Sequence, residues 1–404
     1  MTKLKWRPPK PSVFHRHWNL AENIAFLNHG SFGACPKAVL KVQSQMREQM
    51  EHAPVQFLWR RYEELLEPAR LAIAKFIRTR PQDVVFTSNA TSGVNAVLQS
   101  LNLRPGDELL TTNHDYNACH NALVQVARQA RARVQVAEVP FPVSHASQII
   151  EAILEKVTSR TRLAMIDHVS SHTALIFPIE KIIRALEAKG IDTLVDGAHA
   201  PGMVPLDLTR LLPAYYAGNL HKWICAPKGA GFLWVRQDKQ STIYPAVTSH
   251  GYNTRRPGYS RFQDGFDWTG TFDPTAWFSV KAAIGWMGTL LPGGWSEIRE
   301  RNHSLVVQAR RLLCRKLEIE PPCPETMLGA MCTLPLPETF QGISKAGKID
   351  SEQLRLYDEF RIEVPLLRLG KPERRWFRVS AQVYNSLSQY EYLAEALKFL
   401  RDCG

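Results

Sequence analysis

Two short stretches hold the residue types that could do chemistry. They are Asp196-Gly-Ala-His-Ala-Pro-Gly202 and Gly218-Asn-Leu-His-Lys-Trp223, with Lys222 standing 26 residues beyond Asp196. Asp196 closes an apolar run (Ile191, Thr193, Leu194, Val195), which predicts the carboxyl end of a buried strand, where open α/β sheets bind their ligands. Lys222 lies between a second apolar stretch and Pro227-Lys-Gly-Ala-Gly231. An amine and a carboxylate held this way suit pyridoxal phosphate. That cofactor needs a lysine for its Schiff base and an acid against its pyridine nitrogen, which keeps the ring protonated as an electron sink. Either residue alone is most simply a solvated side chain, or, for Asp196, a turn cap before Gly197. Together and in this order they point to the cofactor.

The bulk properties bound the answer without fixing it. A chain of 404 residues, 45% hydrophobic and 22% charged, can bury a large core in two or three structural units. No apolar run reaches the length of a membrane span. Met1 to Leu20 is basic but lacks the apolar core of a secretory signal, and Pro8, Pro9 and Pro11 favour an extended arm over an amphipathic transit helix. Seven cysteines, scattered and without metal-ligand spacing, suit reduced thiols in a cytoplasmic protein and give no metal site. The net charge of +12 raises nucleic acid as a partner. Lys and Arg come in ones and twos, however, with no basic stripe interleaved with aromatics, so the charge reads as a solvated surface that also favours anionic ligands.

Strand and helix patterns alternate through the middle of the chain. Cys35 to Ile77 reads as helix, expected to break at Pro54 and Pro68. Strands are predicted at 84–87, 108–112, 134–139, 163–168, 192–195 and 231–236. Helices are predicted at 91–101, 116–132, 149–157 and 179–189. This spacing predicts a mostly parallel sheet with helices on both faces, an α/β fold. After Pro274, helices at 276–291 and 295–317 lead to a smaller α+β unit with strands near 330–334, 361–364 and 376–379 and a helix at 388–400. Gly342 to Lys348 reads as an exposed turn. Asn89-Ala-Thr-Ser-Gly93 joins a strand to a helix; by itself it is a good N-cap, and beside the cofactor reading its free N–H groups and the hydroxyls of Thr91 and Ser92 would cup a phosphate.

From Leu27-Asn-His-Gly-Ser-Phe-Gly33 to Arg378-Val-Ser-Ala-Gln-Val-Tyr-Asn385 the chain resembles the class V aminotransferase family, pyridoxal-phosphate enzymes of fold type I, and within it the isopenicillin N epimerase-like proteins. The resemblance implies a large cofactor domain (31–275), a small domain (276–404) and an N-terminal arm (1–30) packed with the small domain. It also implies a homodimer whose active sites are shared. It makes Lys222 the Schiff-base lysine and Asp196 the pyridinium partner, with His199 near the phenolic oxygen and Asn219 and His221 near the phosphate. Thr271, in Trp268-Thr-Gly-Thr271, would reach the neighbouring subunit's phosphate. Either His114 or Tyr116 would stack on the ring, with family register slightly favouring His114. Arg378 would grip a substrate carboxylate bidentately. Asn28, His29, Ser31 and the Ser170-Ser171-His172 turn would line the substrate side.

The expected reaction begins with an amino-acid substrate joined to the cofactor in place of Lys222. The freed amine then takes the α-proton, leaving a carbanion delocalised into the ring. Reprotonation on the other face gives epimerisation, loss of a side-chain leaving group gives lysis, and protonation of the cofactor gives transamination. The resemblance favours epimerase-like chemistry, and a C–S lyase acting on a sulfur-substituted cysteine is the alternative. Desulfurases of the family need a nucleophilic cysteine before the carboxylate-binding arginine, and Ile362 to Trp376 contains none. A basic nucleic-acid-binding scaffold that merely keeps the fold is the non-enzymatic alternative.

Overall fold

The computed structural model describes residues 6–337, 349–370 and 372–403. Twelve strands are described: β1 (Ala25–Phe26), β2 (Val84–Thr87), β3 (Glu108–Thr112), β4 (Arg133–Ala137), β5 (Thr161–Asp167), β6 (Asp192–Gly197), β7 (Tyr215–Asn219), β8 (Gly231–Val235), β9 (Met331–Pro335), β10 (Ile362–Glu363), β11 (Leu366–Leu369) and β12 (Arg374–Ser380). Seven form the central sheet in the order β2-β8-β7-β6-β5-β3-β4. Only β8 runs against its neighbours within it. Strands β2, β3, β5, β6, β7 and β8 are buried almost throughout, as expected of a sheet covered on both faces. The helices Ala90–Gln99, Asn117–Gln129, Ala146–Glu155 and Ile179–Glu187 follow β2, β3, β4 and β5, so this is a doubly wound α/β domain.

The carboxyl ends of β2, β3, β5, β6 and β7 therefore meet along one edge. There they present Asn89, Tyr116, Asp167, Asp196 and Asn219. Such a crevice beyond the strand ends is where ligands bind in open sheets.

A second sheet, β11-β12-β9, is antiparallel and carries Arg378 opposite Thr333. The N-terminal segment packs on this side of the molecule. β1 pairs with β10, Ser12 N–H donates to the Tyr384 carbonyl at 3.0 Å, and Trp6 packs on Phe360 at 4.8 Å between ring centres.

Three sequence expectations change. Pro54 does separate two helices, Lys37–His52 ending before it, but Pro68 lies inside the helix Tyr62–Phe76. A proline removes one N–H and its bond to the fourth residue back. Here the apolar face of Leu66, Ala69, Ile73 and Ala74 is buried in the core, and that packing outweighs the lost bond. The helix expected over 276–291 is two pieces, Thr275–Phe278 and Val280–Gly288. Strand β7, which leads directly into His221-Lys222, forms where the sequence shows only an apolar stretch. The turn expected at Gly342 to Lys348 lies outside the described residues. Among the described residues no helix is long and apolar enough to cross a membrane.

Candidate active site

Lys222 follows β7 in a turn whose backbone is approached closely from both sides. A Cβ added to Gly33 (φ +67°) would come within 2.9 Å of Lys222 Cα, and one added to Gly202 (φ +90°) within 2.6 Å of the Trp223 backbone. Only glycine permits both the left-handed backbone and the close approach. The lysine side chain is buried, and its amine lies 3.0 Å from His199 Nε2. The other ring nitrogen of His199 accepts the Trp223 indole N–H at 3.4 Å. Burial, reinforced by the charge of Arg378, draws the Lys222 ammonium down to about 8, against the opposing pull of Asp196.

Lys222 opens into a cavity of about 220 Å³ shared with Thr91, Tyr116, Asp196, Ser171 and Asn219. His199, His221, Asn89 and Ser31 also line it. Asp196 accepts from Ala198 N–H at 2.9 Å and from the Cys119 thiol at 3.2 Å. At the helix end, the Asn89 side chain accepts from Ser92 N–H at 2.9 Å and the Asn219 side chain accepts from Ala90 N–H at 2.8 Å. These caps leave Thr91 as a first-turn residue facing the cavity. His221 is held neutral by burial, its pKa down to about 4.

Arg378 approaches from β12 and is buried. Its guanidinium donates to the Ser171 carbonyl, to Ser171 Oγ at 3.3 Å, to Ser31 Oγ at 3.0 Å and to Asn28 Oδ1 at 3.4 Å. All of these acceptors are neutral. Nε is buried without a partner, and no carboxylate among the described residues forms an ion pair with Arg378. Desolvation lowers its pKa to about 10. A buried cation without a counter-ion is costly unless an anion arrives.

Several expected residues stand elsewhere: Asn28, Ser170 and His172 do not line this cavity, and His172 lines its neighbour. His114 is buried behind this cavity, its ring nitrogens taken by Thr173 Oγ1 at 2.8 Å and the Val139 carbonyl at 3.1 Å. It lines a neighbouring cavity instead, and Tyr116, at the start of the next helix, lines that of Lys222. His29 is fully buried and lies beneath the lysine, with Nε2 3.0 Å from the Lys222 carbonyl and Nδ1 2.7 Å from the Tyr384 hydroxyl. It supports the turn and does not line the cavity. Ser92 turns back to Ser88 and Asn89. Thr271 is exposed and away from this chain's cavity. Sequence reasoning missed Asp167, which lines the cavity, along with Cys119 and Trp223 behind Asp196 and His199. Asp167 carries the same signature as Asp196, an acid closing an apolar run.

The sheet, the lysine turn and this cavity define a fold type I enzyme of the class V aminotransferases. The model of the class-V aminotransferase family matches residues 30–335, and the chain belongs to that family, whose members are pyridoxal-phosphate enzymes. Among its relatives, isopenicillin N epimerase of Amycolatopsis lactamdurans is 34% identical, over 93% of this chain and 95% of the relative. The same enzyme of Streptomyces clavuligerus is 32% identical, over 94% and 96%. A probable chloroplastic L-cysteine desulfhydrase of Arabidopsis thaliana is 27% identical, over 94% and 83%. Among solved structures, the cystine C-S lyase C-DES with cysteine persulfide has a TM-score of 0.76 at 20% identity, over 94% of this chain and 98% of its own, a likeness of fold.

Proposed function

We propose that this enzyme acts at the α-carbon of an amino acid, in the manner of the isopenicillin N epimerases. One observation carries the reading: a buried amine and a buried carboxylate line one cavity, and a buried guanidinium without a counter-ion is held against its wall by Ser31 and Ser171. The donor set fits pyridoxal phosphate. Lys222 would hold its aldehyde carbon, Asp196 its ring nitrogen and His199 its phenolic oxygen. Thr91, Asn219 and His221 would hold its phosphate, and Tyr116 would cover the ring. When bound, the cofactor supplies an electron sink for charge developing at the α-carbon.

The side chains divide the remaining work. Arg378 binds the substrate carboxylate through two parallel donors and exchanges neutral acceptors for an anion. That fixes the α-carbon relative to Lys222, whose amine, near 8, is poised to take and return a proton at neutral pH. Asp196, buried and held by two donors, keeps a negative charge where the ring nitrogen needs one. Ser171 and Ser31, released from Arg378, line the substrate side with Asn28 behind them.

Deuterium exchange tests the reading. Amino acids and short peptides incubated with the enzyme in D₂O should exchange the α-proton and lose chirality at that carbon, followed by NMR and chiral chromatography. Failure of every α-amino acid to exchange would sink it. A second reading, C–S lysis of a sulfur-substituted cysteine, is favoured by the desulfhydrase relatives, and release of pyruvate, ammonia and thiol in the same assay would select it. Cysteine desulfuration is disfavoured because Cys332 on β9 pairs in register with Val379 and not with Arg378, is buried, and has its thiol pKa pushed far up by desolvation.

The division into arm (1–30), large domain (31–275) and small domain (276–404) is part of the same proposal. So is a homodimer, supported by the exposure of Phe32 at the cavity mouth, of Trp59 and of the Thr271 loop. A cytoplasmic setting is supported by six free cysteines with no disulfide among the described residues.

A further inference from the structure

Asp167 takes no part in those steps, yet it lines the same cavity. It ends β5 in parallel register with Asp196 on β6. Partners on neighbouring strands lie about 4.8 Å apart with side chains on one face. Both carboxyls are buried, each 4% exposed. Their surroundings differ. Asp196 has two donors, the Ala198 N–H and the Cys119 thiol. Asp167 Oδ2 is buried with no hydrogen-bond partner among the described residues. An anion with a buried, unpartnered oxygen beside a second carboxylate is the expensive state of such a group.

We propose that Asp167 and Asp196 form a carboxyl pair holding one proton, Asp167 as the acid and Asp196 as the anion, so that a ring nitrogen entering the cavity meets one negative charge and not two. The inference rests on Asp196 as the ring-nitrogen partner. The titratable groups facing Asp167 are Asp196 from β6, Asp115 and Cys119 from the turn and helix after β3, and Lys222 after β7. Burial, with the charges of Asp196 and Asp115, pushes the Asp167 carboxyl well above its usual range, and Lys222 opposes the shift. Asp167 acts through Asp196 and is a positioning residue. Its proton keeps the total charge of the pair fixed while the cofactor comes and goes.

Infrared spectroscopy of the full chain at neutral pH, with and without pyridoxal phosphate, reads that proton through the carbonyl stretch of a protonated carboxylic acid. The wild type should show the band, shifted in D₂O, and Asp167→Asn should lose it. Absence of the band from the wild type, or equal intensity in Asp167→Asn, overturns the pair. Thermal unfolding without cofactor supplies a second reading. An acid kept protonated only by the fold penalises the folded state increasingly as pH rises above the unfolded carboxyl value of about 4. The Tm of Asp167→Asn relative to wild type should therefore climb from about pH 5 to about pH 8, and a pH-independent difference overturns the proposal. Should Asp167→Asn not fold, Asp167→Ser gives the same two readings. Failure of the ring-nitrogen reading is distinct: it appears as normal turnover in Asp196→Asn.

Discussion

Lys222 and His199 meet nitrogen to nitrogen, Nζ 3.0 Å from Nε2, and the Trp223 indole decides which of them donates. An indole N–H can only donate, so His199 Nδ1 is the accepting nitrogen and the neutral ring carries its hydrogen on Nε2. Burial keeps that ring neutral. Nε2–H then donates to Lys222, which must accept with the lone pair of a free amine. The residue after the lysine thus selects, through a histidine 24 positions back, the form of the lysine that does chemistry.

Trp223→Phe tests this chain of donors. Without the indole N–H, either His199 tautomer is allowed, and the ring can accept from a lysine ammonium. The pH midpoint for trapping cofactor on Lys222 with borohydride should rise, and ¹⁵N NMR should show the Nδ1–H form of His199. The lost neutral hydrogen bond should cost about 0.5–1.5 kcal/mol of stability. An unmoved midpoint with a single Nε2–H tautomer would show that the indole has no such role.

How much of this was legible in the sequence follows from what each feature depends on. The alternation of strand and helix is local periodicity, and it yielded the doubly wound sheet. Asp196 and Lys222 stand out because each follows an apolar run that had to be buried. Asp167 follows one too, but its meaning comes from register with β6, a non-local fact. The choice between His114 and Tyr116 turns on where a three-residue turn points, which residue types do not encode. His29 looked like a ligand-facing histidine beside Asn28, and packing placed it beneath the lysine, on the backbone carbonyl. Pro68 was read by its local rule, which tertiary packing overrode.

Lys222→Ala should abolish covalent attachment of the cofactor and leave the fold intact, since among the described residues no other lysine lines the cavity. Borohydride reduction and peptide mapping should place the label on Lys222 in the wild type and nowhere in the variant. Loss of a general base alone costs about 10²–10⁴ in rate, so turnover should fall by at least that factor. Label at another lysine would move the site.

Asp196→Asn should still bind cofactor, because the phosphate and aldehyde contacts proposed for Thr91, Asn219, His221 and Lys222 are untouched. It should lose turnover by about 10²–10³ or more, as expected when an electrostatic partner of developing charge is neutralised. Equilibrium binding and α-proton exchange measured on the same preparation separate the two effects. Wild-type exchange rates would place the acid elsewhere.

Arg378 lends itself to two substitutions that separate its geometry from its charge. Arg378→Lys keeps a cation but cannot present two parallel donors to a carboxylate. Each charge-assisted hydrogen bond is worth roughly 1.5–3 kcal/mol, so losing one should raise half-saturation for an amino acid by about one to two powers of ten. Arg378→Gln also removes the charge. Burial is the main force holding Lys222 near 8, and the Arg378 charge is the next. Without that charge the ammonium is less disfavoured, so the Lys222 pKa should move up. The free amine is the form that captures cofactor, and capture rises with pH through about 8 in the wild type. In Arg378→Gln that rise should come at higher pH, and in Arg378→Lys it should stay near its original position. Spectral titration with an amino acid measures the first effect, and borohydride trapping across pH measures the second. An unchanged half-saturation in Arg378→Lys would make the arginine structural, and an unmoved trapping profile in Arg378→Gln would show that burial alone sets the lysine.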